Sequence, residues 1–199
     1  MSDIKYFNKW GSEDVVVTDL GLKNYIVFEP RIIPKTGARY AGNRFHKSRI
    51  TIVERLLNKM MVCGHKSKKH FKTSGHLTGK AATNMKIIED VFTIIEEKTK
   101  NNPIAVLVSA VENAAPREEI IAIEYGGARY PKAVECAPQR RIDIALRLMT
   151  QGAYQKSFNS KISIEKALSE EIINAYNLSQ NSVAISKKLE NERQADSSR

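Results

Sequence analysis

Cys63, His65, His70 and His76 stand within fourteen residues, and a thiolate with three imidazoles could in principle enclose zinc. Their spacing, C-x-H-x4-H-x5-H, lacks the paired C-x2-C or H-x3-H pattern of common zinc modules. Cys63 is expected to pack at a helix end and the histidines to lie in a basic loop, so no metal ligand set is assigned. Gly75 to Lys80 faintly suggests a phosphate loop, but three residues separate its glycines where the Walker pattern needs four. Ala81 also occupies the place of the magnesium-holding Ser or Thr, and no cofactor is expected. Glu96-Glu97 and Glu118-Glu119 are consecutive pairs that point to different faces. No nucleophile, base and orienting group can be nominated together, so the chain does not read as an enzyme.

A different chemistry is available between Pro116 and Arg141. Two β-favouring runs flank Gly126-Gly127, which supply the positive φ angles of a tight hairpin turn. With those glycines at the turn, Tyr125 faces Ala128, Glu124 faces Arg129, and Ile123 faces Tyr130. Opposite charges across the strands contribute roughly 0.2–1 kcal/mol. A hairpin alone is marginal in water, so this one must lean on helices or a partner. Its second strand offers Arg129, Tyr130 and Lys132: cation, stacking ring, cation, suited to holding a nucleic-acid strand.

The charge distribution points the same way. The 199 residues carry a net charge of +10, and residues 31–80 hold thirteen Lys and Arg against one acidic residue. The rest of the chain is near neutral, a segregation that solubility does not require and a polyanion partner would. No basic amphipathic helix accompanies the charge, so no membrane partner is expected. No apolar run approaches the ~20 residues of a span, and the N-terminus lacks a charged-then-apolar signal pattern. Two cysteines make no disulfide framework, so a reducing cytoplasm is the simplest home to expect.

The elements that must position these groups are mainly helical. Residues 1–47 read as an extended N-terminal arm, basic from about 31, with Trp10 as an anchor. Residues 48–199 read as a helical domain with the hairpin at about 117–136. Ser48 caps a first helix whose apolar stripe runs through Ile52, Val53, Leu56, Leu57, Met60 and Met61, and Gly64 stops it. Gly64 to Gly79 reads as a loop. A second helix spans about Lys80 to Lys100, and Asn102-Pro103 opens a third that Ala115-Pro116 ends. Pro138 opens a fourth, with Ile142, Ala145, Leu146 and Met149 inward and Arg140, Arg141 and Arg147 outside. Ser163 caps a fifth, and a weaker sixth runs from about Ser182 through Leu189 to a fraying terminus. The expected fold is mainly α: a six-helix bundle with one protruding β-hairpin and an extended basic arm.

Five motifs in this order carry a resemblance. Ile-Val-Glu-Arg-Leu-Leu-Asn-Lys-Met-Met at 52–61 resembles the first helix of the family of small-subunit ribosomal protein number seven. Ala-Pro-Arg-Glu at 115–118 with Gly-Gly-Ala-Arg-Tyr-Pro-Lys-Ala-Val-Glu at 126–135 resembles its hairpin. Pro138-Gln139-Arg140-Arg141 is similar to the next helix start, and residues 168–175 and 184–188 to the C-terminal helices. Lys9-Trp10-Gly11 and Phe28-Glu29-Pro30 are similar to the archaeal and eukaryotic branch. The Gly64–Gly79 loop is longer and richer in His than the family pattern, and the tail after Lys188 is weaker.

The resemblance implies a structural constituent of the small ribosomal subunit. Such a protein binds the 3′ major domain of the rRNA, nucleates head assembly, and lies by the exit-site tRNA and outgoing mRNA, among other head and platform proteins. Its rRNA contacts are expected at Lys35, Arg39, Arg44, Lys47, Arg49, Lys66, Lys68, Lys69, Lys72, Lys80, Arg140 and Arg141. Its tRNA- and mRNA-proximal hairpin is expected at Gly126, Gly127, Arg129, Tyr130 and Lys132. The alternatives are a free-standing RNA- or DNA-binding regulator and a zinc-dependent enzyme built on Cys63 and the histidines.

Overall fold

Six helices and a hairpin appear where the apolar periodicities and the Gly-Gly turn place them. The computed structural model describes residues 4–66, 69–70 and 75–199. Among these, α1 is Ile52–Met60, α2 Ala81–Thr99, α3 Pro103–Ala114, α4 Pro138–Ser157, α5 Ile164–Tyr176 and α6 Val183–Asp196. A short ladder, β1 (His65–Lys66) with β2 (Lys69–His70), follows α1, and β3 (Glu118–Tyr125) pairs antiparallel with β4 (Ala128–Glu135). Side-chain caps mark several helix starts: Asn102 accepts from Ile104 N–H, Ser163 from Lys166 N–H and Ser182 from Ile185 N–H. The cap of α1 is Thr51, not Ser48, which lies in a short 3-10 turn just before it.

The helix α5 packs against α2, α3 and α4. The fully buried set includes Leu56, Ile88, Phe92, Ile95, Leu107, Ile142 and Leu146. Burying each such side chain is worth about 1.5–3 kcal/mol, which is where the stability of a helical domain resides. The sixth helix runs to Asp196, about two turns beyond the sequence expectation. Its own propensity is modest, so tertiary contacts extend it. Glu171 of α5 is wholly buried; its Oε1 accepts from Ser182 Oγ at 2.7 Å and Ala184 N–H at 3.2 Å. Lys156 of α4 reaches the other oxygen at 3.2 Å, so one carboxylate ties α4, α5 and the start of α6 together.

The N-terminal residues are integrated into this body more fully than an extended arm would be. Tyr6 is fully buried and donates its hydroxyl to Glu29 O at 2.7 Å. Burial pushes its phenol up to about 12. The Trp10 ring meets Phe92 edge-on at 5.7 Å and donates Nε1–H to Glu96 at 2.9 Å, so tryptophan does anchor this segment. Leu22 and Ile26 are buried, and Val27 bridges Thr51 in parallel.

Residues 31–49 also differ from the sequence expectation. They contain two 3-10 turns, Arg39–Gly42 and His46–Arg49, and polar bonds fasten them to the helices. Thr36 donates its N–H and hydroxyl to Glu54 Oε1 at 2.9 and 2.6 Å, and Gln139 Nε2 donates to Arg44 O at 3.2 Å. Glu54, the single acid among thirteen cations, is buried. It serves as the internal hook for the segment.

Candidate nucleic-acid interface

The fastening of residues 31–49 converts a run of charges into a surface with shape. Arg31, Lys35, Thr36, Arg39, His46 and Arg49 line an open groove of about 490 Å³. The 3-10 turns bring cations from both ends of the segment to one depression, which sequence spacing alone does not show. Beside it, Lys47, Arg55, Lys59 and Arg147 surround the carboxylate of Asp143 on α4. Lys47 and Arg55 are paired with Asp143, the latter at 3.2 Å. Burial opposes ionisation of Asp143, but the Lys47 hydrogen bond and the neighbouring cations outweigh it and hold the carboxyl low. Burial lowers Lys59, Asp143 opposes that, and the like charges of Lys47, Arg147 and Arg55 push it further down. Four cations against one anion make a site with positive potential to spare.

Several expected contact residues lie on this face. Lys35, Arg39 and Arg49 line the groove, Lys47 borders Asp143, and Arg44 stacks over the Phe45 ring at 5.5 Å. Arg31, Lys59 and Arg147 share the face without having been assigned to rRNA from sequence. Lys59 and Arg147 stand four residues beyond Arg55 and Asp143 on their helices, a spacing that would have found them. Lys80 is exposed at the start of α2. Lys66 and Lys69 pair through the backbone of β1 and β2, whereas Lys68 and Lys72 lie outside the described residues. The Cys63–His76 cluster also falls partly on side chains outside the description, and no metal-binding group forms among the described residues.

The arginine pair at the start of α4 splits. Arg140 lies outside and grips Glu119 of β3 through two nitrogens, at 2.5 and 2.6 Å. Arg141 was expected outside with it but turns inward. Nη2 donates to Asp19 at 2.7 Å and Nε to Pro116 O at 3.2 Å. The reason is helical phase: Arg141 shares the stripe of Ala145 and Met149, both buried. Burial opposes ionisation of Asp19, but the bonds from Arg141 and Gly21 N–H hold its carboxyl below the usual range. Arg141 therefore stitches the N-terminal segment to α4.

The hairpin has the expected register: Ile123 with Tyr130, Glu124 with Arg129, and Tyr125 with Ala128. Gly126 and Gly127 have φ of 56° and 83°, as a primed two-residue turn requires. Arg129 and Glu124 approach to 3.6 Å, both well exposed, and Tyr125 and Tyr130 stand open at the tip. The root leans on α6: Arg117 N–H donates to Glu192 at 3.1 Å, and Arg199 pairs with Glu118. Arg140–Glu119 adds a link to α4, whose flanking residues Gln139 and Asp143 hold the basic segment. The start of α4 thus sits between the basic face and the hairpin root. Cys136, beside Glu119, is buried, and its thiol is pushed up to about 11 by burial and that neighbouring charge. No helix among the described residues is long and apolar enough to cross a membrane.

Comparison with known proteins adds a second line of observation. Residues 22–199 match the family described as ribosomal protein S7p/S5e. The chain is 55% identical over 196 residues to small ribosomal subunit protein uS7 of Nanoarchaeum equitans, covering 98% of this chain and 99% of that one. It is 45% identical over 196 residues to the protein of the same name from Methanothrix thermoacetophila, covering 98% and 100%.

Proposed function

The chain belongs to the ribosomal protein S7p/S5e family, whose members are structural and non-enzymatic, and from that premise we propose how it serves the small ribosomal subunit. Its basic face binds folded rRNA of the 3′ major domain, and this contact nucleates assembly of the subunit head. The hairpin tip lies by the exit-site tRNA and outgoing mRNA, and other head and platform proteins pack around the chain. The observation that carries the reading is the gathering of Arg31, Lys35, Arg39 and Arg49 around one groove beside the Lys47–Asp143–Arg147 cluster.

Such a face works by counterion release. Each phosphate neutralised frees condensed cations, so affinity falls as salt rises. A-form grooves hide base edges, so recognition rests on RNA shape and a few unstacked bases. The bonds from Glu54, Gln139 and Asp143 hold the cations in place beforehand, which lowers the ordering cost of binding. Arg140 keeps an exposed face while gripping Glu119 and joins the rRNA contact from the hairpin side; Arg141 supports the frame from within. The hairpin supplies Tyr125 and Tyr130 as stacking surfaces and Arg129 and Lys132 as cations, on a root fixed by α4 and α6.

The test is sedimentation. Tagged protein expressed in a cell that makes it should travel with small subunits through a gradient and bring down their rRNA. Protein found only in the light fractions would favour a free-standing nucleic-acid-binding regulator.

A further inference from the structure

Behind the basic groove lies a cavity with a different lining. Tyr40 and Ile50 border both, so they form a common wall, and the cations Lys47, Lys59 and Arg147 stand on the cavity side. Asp143 takes up Lys47 and Arg55. Lys59 and Arg147 have no carboxylate within 4 Å among the described residues. Asn58 lines the cavity and donates Nδ2–H to the Tyr40 hydroxyl at 3.2 Å. An amide has two donors and an acceptor, so beyond that bond it still has one donor and one acceptor to offer.

Size decides what such a cavity suits. At about 420 Å³ it falls within the roughly 300–1,000 Å³ of small-molecule sites. A phosphate alone would occupy only its cationic end. The remainder is bounded by a tyrosine, two aliphatic side chains, a threonine and the amides of Asn58 and Gln151, a lining suited to an unstacked base. The groove on the other side of Tyr40 has the charge to carry the neighbouring phosphates. Resting on the reading of that groove as an RNA track, we propose that this cavity accepts one nucleotide extruded from the bound strand. Its phosphate lies among Lys59, Arg147 and Lys47, and its base packs against Tyr40 with one edge read by Asn58. The basic face would then recognise one base identity in addition to RNA shape.

The experiment titrates the full-length, isotopically labelled protein with ribose 5-phosphate and with each of the four nucleoside 5′-monophosphates, following amide shifts. Shifts should appear at residues 58–62 and 147–151. At least one nucleotide should bind about threefold to tenfold more tightly than ribose 5-phosphate, the worth of one added hydrogen bond. Asn58→Ala should abolish that preference while leaving ribose 5-phosphate binding unchanged, and Arg147→Gln should weaken every probe. Equal binding of ribose 5-phosphate and all four nucleotides would make this a phosphate site only and overturn the proposal. So would shifts confined to other surfaces, or no shift at about 10 mM, where a Kd near 1 mM would already be nearly saturated. Because the probes are mononucleotides, such a failure beside intact rRNA cosedimentation removes the pocket alone; failed cosedimentation removes the reading beneath it.

Discussion

Replacing Arg141 with Ala should act on folding before it acts on RNA. The guanidinium is nearly buried, and its loss strands two acceptors, the Pro116 carbonyl and the Asp19 carboxylate. A hydrogen bond to a charged group is worth about 1.5–3 kcal/mol, and breaking a fully buried pair costs about 3–5 kcal/mol. The Asp19 side chain is 26% exposed and keeps the Gly21 N–H, so water recovers part of that loss. The expected cost is therefore about 2–3 kcal/mol, within the first range and at the foot of the second. In a chain of this size that lowers the thermal midpoint by roughly 4–12 °C.

Urea unfolding of the free protein, read by circular dichroism, measures the cost. A double-mutant cycle with Asp19→Asn should return a coupling above about 1 kcal/mol. The pH dependence gives an independent sign. The folded-state pKa of Asp19 lies below its unfolded value, so the unfolded chain binds more protons as pH falls. The stability it contributes is fully present above about pH 4 and lost as pH falls through the lower folded value. The gap between wild type and Arg141→Ala should shrink over that acid range and stay constant above it. Arg140→Ala, an exposed pair with Glu119, should cost under about 1 kcal/mol. If Arg141→Ala unfolds within about 0.5 kcal/mol of wild type yet impairs rRNA binding, Arg141 points outward and does not bridge Asp19 and Pro116.

Three further outcomes are expected. Deleting the hairpin tip, Gly126 to Lys132, should leave the fold and incorporation into subunits nearly normal while weakening exit-site tRNA retention; subunits reconstituted with the deletion would show both, and lost incorporation would reverse the division of labour. Glu171→Ala should cost about 2–4 kcal/mol by freeing the start of α6 and leaving buried donors unpaired, with faster hydrogen exchange in α6 and at the hairpin root; unchanged exchange there would show that α6 docks without it. Across residues 31–47 of the free protein amide exchange should be fast, because few backbone bonds form there, except at Thr36 N–H, which Glu54 holds; uniform protection of that stretch would show it to be part of the core.

The parts legible in the sequence were those governed by neighbours in the chain. Gly126-Gly127 set the hairpin register because a two-residue turn leaves no slack, and Asn102-Pro103 and Ser163 marked helix starts by local capping chemistry. What escaped depends on partners far along the chain. Thr36 with Glu54, and Lys47 with Asp143 ninety-six residues away, dock a segment that reads as loose by composition. The length of α6 escaped because a buried Glu171 and the hairpin root support it from outside its own sequence. Arg141 is the instructive case, since its i+4 and i+8 relations to Ala145 and Met149 already placed it inward. For a charged residue on an apolar stripe, position is a better guide than type.

In the proposed function the groove cations of residues 31–49 anchor the rRNA. The most direct measurement is the affinity of the purified protein for a 3′ major domain rRNA fragment as a function of salt, with wild type beside an Arg31→Gln, Lys35→Gln, Arg39→Gln, Arg49→Gln variant. For wild type, the logarithm of affinity should fall with the logarithm of salt at a slope of several units, and the variant should lose about one unit per phosphate contact removed. A slope near zero, or a quadruple variant that binds as wild type does, would show that these cations do not anchor the rRNA.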